Sequence, residues 1–163
     1  MAIREVRTIG DPILEKQSKE VKEITPRIQQ LIDDMWETMH DQDGVGLAAV
    51  QVGVLKKIFV IETDEEHAYT FINPEILSCE GEVKDHEGCL SVPGKAGYVI
   101  RPQKVVVNAL DREMKEFTLE AEDLLARAVC HENDHLYGTL YVSKVIGEIM
   151  DADEIEEQEE DEA

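Results

Sequence analysis

His131-Glu132-Asn133-Asp134-His135 is the segment whose residue types and spacing point most directly to chemistry. On a helix, about 100° per residue puts positions i and i+4 one turn apart on nearly the same face, so two imidazoles there can share one metal ion. Glu132, next to the first imidazole, can reach a water beside the ion without binding the ion itself. The plainer alternative is an amphipathic surface helix with two chance histidines. The apolar residues just upstream and the intervening Glu count against it. A metal that hydrolyses an amide also needs a third protein ligand and one open position.

Zinc endopeptidases supply that third ligand downstream. One pattern continues through a Gly to a third His; Gly138 stands at the Gly position, but Tyr141 stands where the ligand should be. Another takes a Glu from a following helix, and acids such as Glu154 lie in a tail too charged and too short to pack one. The third ligand is therefore expected upstream. Cys89, in Glu87-Gly88-Cys89-Leu90-Ser91, is the best candidate, since Gly88 allows close backbone approach. Cys79 and Cys130 read as small buried hydrophobes, and three cysteines at irregular spacing do not make a disulfide framework. A third segment, Gly44-Val45-Gly46-Leu47-Ala48-Ala49-Val50-Gln51, lacks both the ending and the preceding strand of a phosphate loop. Its small residues suit a backbone lying close to a ligand, with Gln51 supplying an amide donor. A tight helix-to-strand connection with Gln51 merely exposed is the alternative.

These segments need elements to hold them. Thr25 as cap, Pro26 at the first helical position and the stripe Ile28, Leu31, Ile32, Met35, Trp36, Met39 predict a helix over residues 25–40. Residues 57–62 and 68–72 read as strands, with Asn73-Pro74 marking a turn. Residues 105–111 form another strand, with 114–119 as its hairpin partner although the turn lacks Gly. A second helix starts near residue 122, runs through the His131 region and is stopped by Gly138. Strands between two well-separated helices indicate an α+β fold rather than alternating βαβ units.

A chain of 163 residues suits one compact domain. Its formal charge is −21, of which the ten acids of residues 148–163 supply −10, leaving an acidic body of −11. That balance speaks against a nucleic-acid or anionic-membrane surface as main partner and favours a neutral or peptide-like substrate. Arg4, Glu5 and Arg7 stand where a signal peptide would be apolar, and the longest apolar stretch, residues 44–55, is too short to span a bilayer. A cytoplasmic protein with reduced thiols is expected.

In this order, the three segments resemble the signature motifs of bacterial peptide deformylase: Gly-x-Gly-x-Ala-Ala-x-Gln, Glu-Gly-Cys-x-Ser and His-Glu-x-x-His. The resemblance runs from Arg7-Thr8-Ile9-Gly10-Asp11-Pro12 through Gly138. Val50 stands where Pro is common, and Cys130 where Gln often precedes the first His. The resemblance implies antiparallel strands packed around a central metal-binding His-Glu-x-x-His helix, with a long N-terminal amphipathic helix. Residues 1–147 would form the catalytic domain and residues 148–163 an acidic tail, expected to be frayed or disordered by self-repulsion.

The implied reaction removes formate from N-formylmethionine at the start of new polypeptides. Cys89, His131 and His135 would hold one divalent ion, normally Fe²⁺, with Zn²⁺, Ni²⁺ or Co²⁺ able to substitute. Glu132 would be the general base and acid, and the Gln51 amide and Leu90 backbone N–H would hold the oxyanion. Val45, Leu124 and Ala128 would wall a methionine pocket, with the Gly46 backbone pairing to the peptide. Arg127 is expected at the pocket rim with its guanidinium in solvent. Glu87 and Asp134 are expected to orient ligands or pair with Arg101, and His40, His67 and His86 receive no role. The expected partners are N-formylmethionyl nascent chains, with no nucleic acid and no membrane. The acidic tail, in place of a longer basic helix, counts against ribosome contact through that element. The other readings are a zinc endopeptidase and a metal-storing or peptide-binding protein without catalysis.

Overall fold

The computed structural model describes residues 2–162, with side chains to residue 160. Residues 2–8 have no regular secondary structure, and a 3-10 turn follows at Pro12–Glu15, where the Asp11 side chain accepts from the Ile13 N–H. The first α-helix, α1 (Pro26–Asp41), comes only after this; Thr25 caps it by accepting from the Ile28 N–H. Eight strands follow, all paired antiparallel: β1 (Gly46–Ala48), β2 (Ile58–Asp64), β3 (His67–Glu80), β4 (Val83–Cys89), β5 (Val92–Arg101), β6 (Lys104–Leu110), β7 (Glu116–Glu122) and β8 (Ile146–Asp151). Helix α2 (Asp123–Leu136) lies between β7 and β8, and α3 (Ala152–Glu162) ends the described chain. This is an α+β fold.

The strands form a five-stranded sheet, β1-β2-β3-β6-β7, and a three-stranded sheet, β4-β5-β8. The apolar run of β2 shows how the large sheet is covered. Phe59 and Ile61 point to one face, where they pack with Phe71, Val107 and the α2 residues Ala126 and Val129. Ile58 and Val60 point to the other, against Ile32, Met35 and Met39 of α1. Alternation at period two sends successive side chains to opposite layers, so a strand buried on both faces is apolar throughout.

Asn73-Pro74 is not a turn. Strand β3 runs through it with a register shift between Ile72 and Glu75, at which Asn73 takes φ 51°. Asn73 Oδ1 accepts from the Val21 N–H at 2.8 Å and Nδ2 donates to the Val21 carbonyl at 2.7 Å, so a distant segment stabilises a bulge that also accommodates Pro74. The β6–β7 hairpin closes without Gly because Asp111 Oδ1 accepts from the N–H groups of Glu113 and Lys115 while Met114 takes φ 63°.

Where a frayed tail is expected, residues 146–162 take the regular structure of β8 and α3. Strand β8 pairs with β5, the Lys95 ammonium donates to Asp151, and His86 Nδ1 lies 2.6 Å from Glu159 Oε1. Ile155 is 1% exposed. Ladder pairing and one buried aliphatic side chain favour this arrangement, against repulsion between acids that water screens.

Candidate active site

Helix α2 carries Arg127, His131 and His135 at successive turns. Gly138 ends it: with φ 78° it donates to the His135 carbonyl at 3.1 Å, and a Cβ there would lie 2.4 Å from the Glu15 carbonyl oxygen. Cys89 comes from the other sheet, at the end of β4. The ligand atoms of Cys89, His131 and His135 all lie within 4.8 Å of one another, with Cys89 Sγ 3.4 Å from His135 Nε2.

Two of the three donors, His131 and Cys89, have an orienting neighbour. His131 Nδ1 is 2.7 Å from Glu87 Oε1, which leaves Nε2 for a ligand. The Glu87 carboxylate also accepts from Arg101 Nε at 2.8 Å and Nη2 at 2.9 Å, while Arg101 Nη1 donates to Asp134 at 2.7 Å. Burial works against the Glu87 charge, but the bonds and charges of His131 and Arg101 outweigh it and hold the carboxyl at about 2. Gln51 Oε1 accepts from the Ala48 N–H at 2.9 Å, which fixes the amide so that Nε2 faces Ser91 Oγ at 3.0 Å and Cys89 Sγ at 3.5 Å.

The two imidazoles differ in protonation state. Burial, then the neighbouring His131, pushes His135 down to about 3, so its imidazole is neutral. For His131, burial opposes charge, but Glu132, Cys89 and Glu87 raise its pKa well above the ordinary range. A cation at Nε2 would displace that proton. His135 Nδ1 and Glu132 Oε1 are buried without a hydrogen-bond partner among the described residues. One thiol and two imidazoles converge, a donor set that fits a divalent transition ion.

The sequence profile of the family described as polypeptide deformylase matches residues 3–149. The chain belongs to the polypeptide deformylase family. A peptide deformylase of Lachnoclostridium phytofermentans is 56% identical over 163 residues, 99% of this chain and 100% of that protein. The crystal structure of a peptide deformylase from Legionella pneumophila superposes with TM-score 0.85 at 44% identity, covering 88% of this chain and 86% of that one. That of peptide deformylase from Ehrlichia chaffeensis in complex with actinonin gives TM-score 0.87 at 42% identity, covering 90% of each. Family membership overturns the zinc endopeptidase alternative.

In this member of the family a cavity of about 510 Å³ opens onto two of the three donors, Cys89 and His131, with Glu132 also in its wall. Val45, Gly46, Leu90, Leu124 and Ala128 also line it; Leu124 is 52% exposed, at the mouth. Gln51 and His135 are fully buried and are not among the lining residues. Glu132 is 4% exposed, and burial raises its carboxyl to about 7.

Two expectations need correction. Arg127 does not extend into solvent: it is 6% exposed and bonded to Glu87 and to backbone carbonyls, because α2 faces two strands that leave acceptors pointing at it. Cys79 is exposed, since the distal end of β3 projects beyond the packed layers, whereas Cys130 is buried and its thiol is pushed up to about 11 by burial. His86 lines the cavity and pairs with Asp85 and Glu159. Ser91, fully buried, takes the Gln51 amide bond; it stands in the Cys89 motif, but nothing in local spacing linked it to Gln51.

Proposed function

We propose that this chain hydrolyses the N-terminal formamide of formylmethionyl polypeptides, releasing formate and a free amino terminus. The observation that carries this reading is the meeting of Cys89, His131 and His135 beside the buried Glu132 carboxylate, at a cavity of about 510 Å³, in a polypeptide deformylase family member.

The Cys89 thiolate and Nε2 of His131 and His135 hold one divalent ion, natively Fe²⁺, with Zn²⁺, Ni²⁺ or Co²⁺ accepted by the same donors. When bound, such an ion would supply Lewis acidity to an adjacent water. Glu132 takes a proton from the water as its oxygen bonds to the formyl carbon, then passes it to the leaving nitrogen as the C–N bond breaks. Its burial supports this role, since a carboxyl raised to about 7 both accepts and releases a proton near neutral pH. The Gln51 amide N–H and the Leu90 backbone N–H hold the charge that develops on the formyl oxygen. Val45, Leu124 and Ala128 receive the methionine side chain, and the Gly46 backbone pairs with the peptide.

The catalytic unit is residues 1–147, which contain every residue assigned a role. No helix among the described residues is long and apolar enough to cross a membrane. We place the protein in the cytoplasm, acting on nascent chains, and its charge of −21 supports recognition of peptide rather than nucleic acid. Formate release from a formyl-Met peptide by anaerobically prepared protein, with metal content measured on the same sample, tests the reading. One ion per chain and steady formate release are expected. Metal-loaded protein that releases no formate would overturn it.

A further inference from the structure

The two halves of the donor set belong to different bodies. His131 and His135 ride on α2, packed on the five-stranded sheet, whereas Cys89 ends β4 in the three-stranded one. Cys89 is not held by a regular ladder either: the β4–β5 register slips between Glu87 and Cys89. Something other than local pairing must set the distance between thiol and imidazoles.

Arg127 stands one turn before His131 on α2 and spans that gap. Nη1 donates to Glu87 Oε2 at 2.7 Å and to the Val99 carbonyl of β5 at 3.0 Å, and Nη2 donates to the Val83 carbonyl of β4 at 2.7 Å. The other Glu87 oxygen, Oε1, meets His131 Nδ1 at 2.7 Å. One buried guanidinium therefore grips both strands of the Cys89 hairpin and the carboxylate that orients a histidine of its own helix. The planar fork matters: its donors reach acceptors on separate strands at once, which a single ammonium on a flexible stem does not reproduce.

We infer that Arg127 is a positioning residue for the metal centre, holding the Cys89 strand at ligand distance from α2 and fixing the His131 ring through Glu87. This rests on the assignment of Cys89, His131 and His135 as the metal ligands.

The test uses the full chain, stripped of metal and titrated anaerobically with Co²⁺ alone. Arg127→Met and Arg127→Lys are compared with the parent and with Cys89→Ser. The readouts are Co²⁺ affinity by chelator competition, the thiolate-to-cobalt charge-transfer band, and the melting temperature of the metal-free protein. Loss of a partner that orients a ligand typically weakens metal binding about 10–100-fold. Arg127→Met is expected in that range with a shifted or weakened band, and Arg127→Lys between it and the parent. Affinity and band unchanged in Arg127→Met, whatever happens to the melting temperature, would reduce Arg127 to a structural residue and overturn the inference. If Arg127→Met does not fold, Arg127→Lys decides: weaker Co²⁺ binding supports the inference, and parent-like binding overturns it. A parent that binds Co²⁺ without a thiolate band, and no better than Cys89→Ser, would instead refute the ligand assignment.

Discussion

Gly46 and Glu132 touch in a way that leaves no room for a side chain on the glycine. A Cβ built on Gly46 would lie 2.6 Å from Glu132 Oε2 and 3.0 Å from both Cγ and Cδ. The β1 backbone therefore forms one wall of the slot that holds the Glu132 carboxylate beside the donor set. Gly46→Ala should push that carboxylate aside without disturbing the donors. A displacement of about 1 Å at a reacting group can cost about 10²-fold in rate. The expected outcome is a fall of that order in kcat for formate release, with metal content and melting temperature close to the parent's. Parent-like turnover would mean the carboxylate position does not matter.

Glu132→Ala should retain the ion, because the three donors do not include Glu132. General acid–base catalysis contributes about 10²–10⁴-fold, and kcat should drop by that factor. Metal analysis and turnover on one preparation check both halves. Loss of the ion would show that Glu132 helps bind it.

Gln51→Leu removes the amide that faces Cys89 Sγ and Ser91 Oγ and leaves the Ala48 N–H without its acceptor. A lost oxyanion donor costs about 10²–10³ in turnover. The buried N–H left unpaired costs about 1–3 kcal/mol of stability. Both should appear together, in kinetics and in a melting curve. An active but less stable variant would assign Gln51 to structure alone.

Asp34 links stability to acid. It is buried on α1 and accepts from the Ala2 N–H at 2.7 Å, Arg4 Nε at 2.9 Å and Gln30 Nε2 at 2.8 Å, so it pins the N-terminal segment. Burial pushes its pKa up, but these bonds outweigh it and hold the carboxyl below its ordinary 3.8. A depressed folded-state pKa gives stability that is present above the unfolded value and lost as pH falls through the folded one. Asp34→Asn should therefore melt a few degrees below the parent at pH 7, for a loss of about 1 kcal/mol. That gap should close as pH falls below the ordinary carboxyl range. A gap that stays constant into acid would show that the charge is not what matters.

A chain ending at Gly147 should keep its activity and lose stability. The truncation removes most of β8 and all of α3, uncovering the β5 edge and the site that buries Ile155. Burying one such side chain is worth about 1.5–3 kcal/mol, so the melting temperature should fall by several degrees. If kcat collapses while the truncated protein remains folded, the tail takes part in the site.

The pairing of His131 with His135 was legible because their relation is local. The i, i+4 placement of His131 and His135 follows from helix geometry, and Thr25-Pro26 with the following apolar stripe marks a capped, one-sided helix without knowledge of its partner. Cys89 and Gln51 stood out through residue type and flanking glycines. What the chain could not disclose locally depends on segments far apart in sequence. Arg127 reads as a surface residue until β4 and β5 aim four acceptors at it. Asn73-Pro74 reads as a turn until Val21 satisfies the bulge. The acidic end reads as disordered until β5 offers an edge and Ile155 a place to be buried. Periodicity and capping act between neighbours and are written in the sequence; burial, and with it the need for Gly46 to be glycine, comes from what distant segments pack against a residue, and the tertiary structure alone decided that.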